Sequence, residues 1–183
     1  TAYTYAGQPF TVSVTAKNAA GGITQNYDGS SNTTPNQAKD VSLTAVVVHT
    51  EAPRNGSFSC SDEMLNRIHN TALWTMTNNL HSIPTDCPAR EKCGWLGDAQ
   101  VSAEMCLYNF YMPHFWTKYL NDIETTRRDN IPSMIAPGKR LCGAATPDWA
   151  TAFIQIPWYL YLYLGDERVL EEHYPGMRSL LEH

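Results

Sequence analysis

The chain has 183 residues, 43% hydrophobic and 17% charged, enough for one or two compact domains with a real core. Thirteen Lys and Arg against eighteen Asp and Glu leave a formal charge of −5, which argues against a nucleic-acid footprint. No apolar run approaches the roughly 18 to 20 residues of a membrane span, and the greasiest stretch, YLYLYL at 159–164, is far too short.

The sequence starts at Thr1, with neither Met nor a signal peptide, and reads as beginning inside a longer or processed polypeptide. Its ending, Leu181-Glu182-His183, reads as a cloning scar running into a purification tag. Near residue 52 the composition changes. Before it, Phe10, Val12 and Val14 alternate with Thr11, Ser13 and Thr15, the period of a half-buried strand. The run VSLTAVVVH at 41–49 predicts a second, more deeply buried strand. Gly21-Gly22 marks a turn, residues 23–27 offer a third strand, and 28–38 read as a loop. This β-rich leader, residues 1–52, is too small for a sandwich of its own.

After Pro53 the helical period takes over. Ser59 or Ser61 can cap a first helix, with Asp62 and Glu63 in its first turn and Met64, Leu65, Ile68, Ala72 and Met76 on one face. Asp98 is expected to cap a second helix through Phe110, with Val101, Met105 and Tyr108 inward. A third runs from Pro113 to about Arg128, proline being tolerated at a helix start. Asp148 caps a fourth, kinked by Pro157 and ended by Gly165. Asp166 starts a fifth, interrupted at Pro175-Gly176. Antiparallel helices with loops of variable length form the pattern of an α/α assembly.

Between the first two helices lies HSIPTDCPAREKCGWLGDAQ, residues 81–100, too rich in Pro and Gly to be helical throughout. Structured loops of this length between helices are uncommon unless functional. Asp86, Arg90, Glu91, Trp95 and Asp98 together suit a polyol or sugar. Carboxylates accept from vicinal hydroxyls, a guanidinium donates in a fixed fork, and an indole offers an apolar face to a ring. Crowded carboxylates hold protons to higher pH, as a general acid requires. The competing reading is a structural clamp in which Arg90 pairs with Asp86 or Glu91 while Trp95 plugs the core.

The run DCPAREKCGWLGD at 86–98 closely resembles the signature loop of the bacterial α-L-rhamnosidases, inverting glycoside hydrolases with an (α/α)₆-barrel catalytic domain. The resemblance extends through GSFSCSDEMLN at 56–66, PDW at 147–149, IPW at 156–158 and YLGD at 163–166. It implies that about five antiparallel helices at 53–183 form part of such a barrel; with the β-rich leader read from the alternating runs before residue 52, the fold class is mainly α with a β-rich N-terminal segment. It also implies that Glu91 is the general acid, that Asp86 and Asp98 hold sugar hydroxyls beside Arg90, and that Trp95 and Trp149 wall the sugar. Thr151 stands where the family often has Asp, and Cys93 where an aliphatic residue is more usual. The implied partner is a rhamnose-containing glycan or glycoside.

An inverting mechanism needs a second carboxylate to activate water. In this family it comes from a much later part of the barrel. Glu104, Glu124 and Glu171 sit in no matching motif and read as solvated helix-face charges. The chain therefore reads as a fragment with the acid half of a site, of little activity alone. The alternative is a non-catalytic carbohydrate-binding or structural, self-associating fragment, and a chimera if its leader is foreign to the rest: the stretch from GQPF at 7–10 to NYDG at 26–29, before about Asp40, is similar to immunoglobulin-like modules of bacterial surface and pilus-associated proteins. A third reading pairs Cys87 with His81 as nucleophile and base.

Five cysteines, Cys60, Cys87, Cys93, Cys106 and Cys142, form no CxxC pair, which speaks for mostly buried thiols and against a zinc ribbon or a complete disulfide framework. They leave the compartment open, with a periplasmic or extracellular setting favoured over the cytoplasm. The six histidines show no ligand spacing, so no metal and no cofactor is expected. The stripe Trp158, Tyr159, Tyr161 and Tyr163 reads mostly as core. Barrel faces left without later helices would be exposed and drive self-association.

Overall fold

The computed structural model describes Ala20, residues 48–138 and residues 142–183; the expected strands of the leader fall almost wholly outside the described residues. The chain divides into two compact units, Thr1–Val47 and Val48–His183. Among its described residues the second unit is helical, with isolated β-bridges and no sheet.

Helix α1, Glu63–Asn79, is capped by Asp62 and not by a serine: its carboxylate accepts the amides of Met64 at 2.8 Å and Leu65 at 3.4 Å. Its buried side is Leu73, Met76 and Asn79, whereas Met64, Leu65 and Ile68 are exposed. Helical periodicity identifies residues that share a face; here nothing among the described residues covers the first half of that face.

Helix α2, Leu96–Asn109, begins one turn earlier than Asp98 would set it, so Asp98 lies within its first turn, where a negative charge meets the positive end of the helix dipole. The inward face is Leu96, Ala99, Ala103, Cys106 and Leu107. Val101 and Tyr108, expected inside, are 78% and 58% exposed. The small residues on the buried side let a neighbouring helix approach closely, and bulk is left outside.

Helix α3, Pro113–Thr126, starts on its proline and buries Phe115, Trp116, Tyr119, Leu120 and Ile123. The expected fourth helix is divided at Thr151 into a single turn, α4, Pro147–Ala150, and α5, Ala152–Leu164, which continues through Pro157. Gly165 ends α5 with φ of 67°, the left-handed region that glycine enters without a Cβ clash. Helix α6, Glu167–Leu181, runs through Pro175 and Gly176 uninterrupted. A Cβ on Gly176 would lie 2.9 Å from the Phe153 ring and 2.6 Å from the Arg127 guanidinium, so close packing explains that glycine.

Helix α5 is central, lying against α2, α3 and α6. Its Phe153, Ile156 and Leu160 meet Trp116, Tyr119, Leu120 and Ile123 in a core where each such side chain contributes about 1.5–3 kcal/mol on burial. The aromatic stripe of α5 is divided: half-buried Tyr159 and Tyr163 pack against the core, Tyr161 is half-buried and Trp158 is exposed. The thiols are not mostly buried. Only Cys106 is, and burial pushes its thiol up to about 12; Cys87, Cys93 and Cys142 are half-buried and Cys60 is exposed. No described helix is long and apolar enough to cross a membrane.

Candidate active site

The loop between α1 and α2 is fixed at both ends. At its start, the Thr85 amide and hydroxyl donate to the Asn79 carbonyl at 2.8 and 3.0 Å, a buried polar knot that closes off α1. At its end, residues 94–96 pair with residues 134–136. The Ala136 amide donates to the Gly94 carbonyl and the Leu96 amide to the Met134 carbonyl, both at 2.9 Å. The buried Tyr119 hydroxyl donates to the same Gly94 carbonyl at 2.9 Å. A Cβ at residue 94 would sit 2.0 Å from the Ala136 oxygen, so this seam requires glycine.

Between the anchors the chain folds back on itself. The Asp86 amide donates to the Cys93 carbonyl, and the Cys93 amide to the Asp86 carboxylate, each at 2.9 Å. Partial burial pushes the Asp86 carboxyl upward, but hydrogen bonds from the Cys87 thiol and from the backbone of Cys93 and Cys87 outweigh it and lower its pKa. Glu91 is exposed and accepts the Trp95 indole N–H at 2.9 Å. Asp98 has its pKa raised, first by burial around its carboxyl and then by the negative charges of Asp86 and Glu91. The crowding of acids expected from the sequence is therefore felt at Asp98.

Trp149 lies on the first turn of α2. A Cβ on Gly97 would meet its indole at 2.7 Å, so the glycine makes room for the ring. The indole nitrogen of Trp149 is buried without a hydrogen-bond partner. Two residues on, the Thr151 hydroxyl donates to the Gln100 side chain at 2.8 Å, tying α4 and α5 to α2.

Asp86, Glu91, Trp95 and Asp98 are thus brought together by one loop and one helix start, and Trp149 joins them through Gly97. Arg90 is exposed and, among the described residues, forms no ion pair with Asp86 or Glu91, so the clamp is not formed. Trp95 is half-buried and does not plug the core. The Cys–His pairing is not formed either: the His81 ring bonds the Asn78 carbonyl, and the Cys87 sulfur lies against the Glu91 amide. Two cavities, of about 860 and 650 Å³, lie elsewhere, by residues 125–133 and between the starts of α3 and α6. Within the acidic cluster, Glu91 and Asp98 are exposed and Asp86 is half-buried.

Sequence reasoning missed the supports. Tyr119 and Ala136 carry no motif of their own, though two glycines flanking Trp95 signal close backbone approach. Glu104 is not a solvated charge: it is half-buried and accepts the Tyr163 hydroxyl at 2.5 Å, with Tyr108 against the same hydroxyl at 2.9 Å. These bonds, to Glu104 first and then Tyr108, push the Tyr163 phenol up.

The family model described as bacterial alpha-L-rhamnosidase 6 hairpin glycosidase domain matches residues 53–183. A second model, described as DUF6701, third domain, matches residues 1–81. The chain is 47% identical over 149 residues to an alpha-L-rhamnosidase of Formosa agariphila, covering 75% of this chain and 16% of that protein. It is 34% identical over 151 residues to one of Streptomyces avermitilis, covering 81% of this chain and 15% of that protein. Among solved structures it is similar to the alpha-L-rhamnosidase of Dictyoglumus thermophilum, with a TM-score of 0.72, 47% identity and coverage of 73% of this chain and 15% of that one. It is similar also to the Streptomyces avermitilis enzyme complexed with L-rhamnose, with a TM-score of 0.71, 34% identity and coverage of 73% and 13%. The chain thus spans about a sixth or less of the length of these relatives. It is mainly helical, in the manner of the six-hairpin α/α domains it matches. Through residues 53–183 the chain belongs to the bacterial alpha-L-rhamnosidase 6 hairpin glycosidase domain family.

Proposed function

We propose that residues 53–183 supply the acid side of a site that cleaves terminal α-L-rhamnosyl linkages with inversion. In this reading Glu91 protonates the departing glycosidic oxygen. Asp86, Asp98 and Arg90 hold sugar hydroxyls, and Trp95 and Trp149 wall the ring. One observation carries the reading: a loop and the helix turn that follows it gather an exposed glutamate, an indole donating to it and two aspartates of opposite pKa displacement. The exposed glutamate is reachable by a leaving group, the downshifted Asp86 is ionised to accept hydroxyls, and the indole orients the acid. The similarity to an enzyme solved with L-rhamnose supports that sugar as ligand.

The water-activating carboxylate of an inverting enzyme stands about 6.5–9.5 Å from the acid, across the sugar. We place it outside this chain, so that residues 53–183 bind L-rhamnose but turn over little substrate alone. The exposed apolar faces of α1, α2 and α5 are proposed to drive self-association. The test is calorimetric titration with L-rhamnose beside an aryl rhamnoside assay. Saturable binding, abolished by Asp86→Ala and retained by Glu91→Gln, with negligible turnover, is the expected result. Absence of binding overturns the site; robust turnover abolished by Glu91→Gln overturns its incompleteness.

A further inference from the structure

Both cysteines of the 86–98 loop rest their sulfur on the backbone of Glu91, from opposite ends of that residue. The Cys87 sulfur accepts the Glu91 amide at 3.3 Å, and the Cys93 thiol donates to the Glu91 carbonyl at 3.1 Å. The closure between Asp86 and Cys93 ties Cys93 to the residue that immediately precedes Cys87, at the neck of the turn. Both cysteines are half-buried and so within reach of a small solute, unlike Cys106. At Lys92 the turn bends with φ of 54°, a left-handed conformation that lysine adopts only under constraint.

We propose that Cys87 and Cys93 form a peroxide-sensitive dithiol whose oxidation to a disulfide releases Glu91 from Trp95. One thiolate attacks a peroxide oxygen, the O–O bond breaks, and a sulfenic acid forms with release of water. The second sulfur attacks the sulfenic sulfur, the S–S bond forms, and the hydroxyl leaves as a second water. Two thiols lose two electrons in total and one hydrogen peroxide gains them. A sulfur–sulfur bond is only about 2.05 Å long. Forming it draws both sulfurs away from Glu91: the Cys93 thiol no longer has a proton to donate, and the Cys87 sulfur leaves the Glu91 amide. The turn at 88–91 then loses two contacts to its backbone, and with them the placement of the Glu91 carboxylate on the Trp95 indole. The modification stands independently of the glycosidase reading; only its consequence for catalysis rests on that reading.

The test treats the full chain with hydrogen peroxide, alkylates the remaining thiols without reduction, and digests with trypsin, which cuts after Arg90 and Lys92, between the two cysteines. The expected product is a disulfide-linked peptide pair, one ending at Arg90 and one starting at Cys93. It is two hydrogens lighter than the separate peptides, split by dithiothreitol, and assigned to Cys93 over Cys106 by fragmentation. It appears at peroxide doses no higher than those that oxidise the exposed Cys60. Cys93→Ser, which keeps a donor for the Glu91 carbonyl, removes the link and leaves Cys87 to oxidise singly. Recovery of Cys87 and Cys93 as alkylated thiols, as separately oxidised residues, or as partners of other cysteines while Cys60 is oxidised overturns the proposal. In the linked form the Glu91 amide exchanges hydrogen faster; unchanged exchange overturns the release of Glu91.

Discussion

Asp86 and Asp98 belong to one loop and its adjoining helix turn, yet their environments push them in opposite directions. Asp98 has its pKa raised, by burial first and by its acidic neighbours next, so ionising it costs the folded state more than the unfolded one. The stability Asp98 contributes is therefore present in acid and lost as pH rises from the ordinary value of 3.8 through its raised folded value. Asp86 behaves in the reverse sense: hydrogen bonds outweigh its burial, so its stability is present above 3.8 and lost as pH falls through its lowered folded value. Asp98→Asn is expected to gain stability relative to the parent chain as pH is raised from about 3 to 7, and Asp86→Asn to lose it over the acid end of that range. Thermal melts across that range check both, and parallel curves for the two variants would contradict the assignment. The residue types of this loop were legible in the sequence. The direction of each displacement was not, because it depends on which amides and thiols the fold turns toward each carboxylate.

At the scale of elements, the sequence signals that survive are those enforced by backbone chemistry. Pro113 does start α3, and Gly165 does close α5. The inward faces were less legible. Val101 and Tyr108 lie outside, while Ala99, Ala103 and Cys106 lie inside, because close approach of α5 rewards small side chains over large ones. Pro175 failed to interrupt α6, where packing of Gly176 against Phe153 and Arg127 holds the helix through the missing amide. The seam that presents Trp95 was invisible, since it joins residues 40 apart through main-chain atoms. It also gives measurable expectations. Gly94→Ala forces the Ala136 carbonyl away and is expected to cost about 1–3 kcal/mol in chemical denaturation. Tyr119→Phe removes one of the two donors to the Gly94 carbonyl and is expected to cost about 0.5–1.5 kcal/mol. A neutral result for Gly94→Ala would mean that the seam is not formed.

At the largest scale, among the described residues of the second unit, some helix faces are covered and others are not, and that division bears on behaviour in solution. Helix α5 is buried on one side by α2, α3 and α6, while Trp158 and Leu162 on its other side are 48% and 52% exposed, alongside Val101 and Tyr108 of α2. Exposed apolar side chains on two packed helices are the material from which association surfaces are made. Sedimentation velocity is expected to show concentration-dependent association, weakened in a Val101→Lys, Leu162→Lys double variant whose substitutions fall on exposed positions. A single monomeric species at all concentrations would rule this out. The mainly helical, multi-helix character was readable from periodicity, but which faces stay open was not, since periodicity says nothing of what lies opposite. The two-sided anchoring of the acidic loop bears also on its portability. Residues 85–96 are not a self-sufficient module: their end is stitched to residues 134–136 and to the hydroxyl of Tyr119. A graft of the acidic stretch alone onto another helical pair would arrive without its backing, and a working transplant must carry three separate stretches of chain.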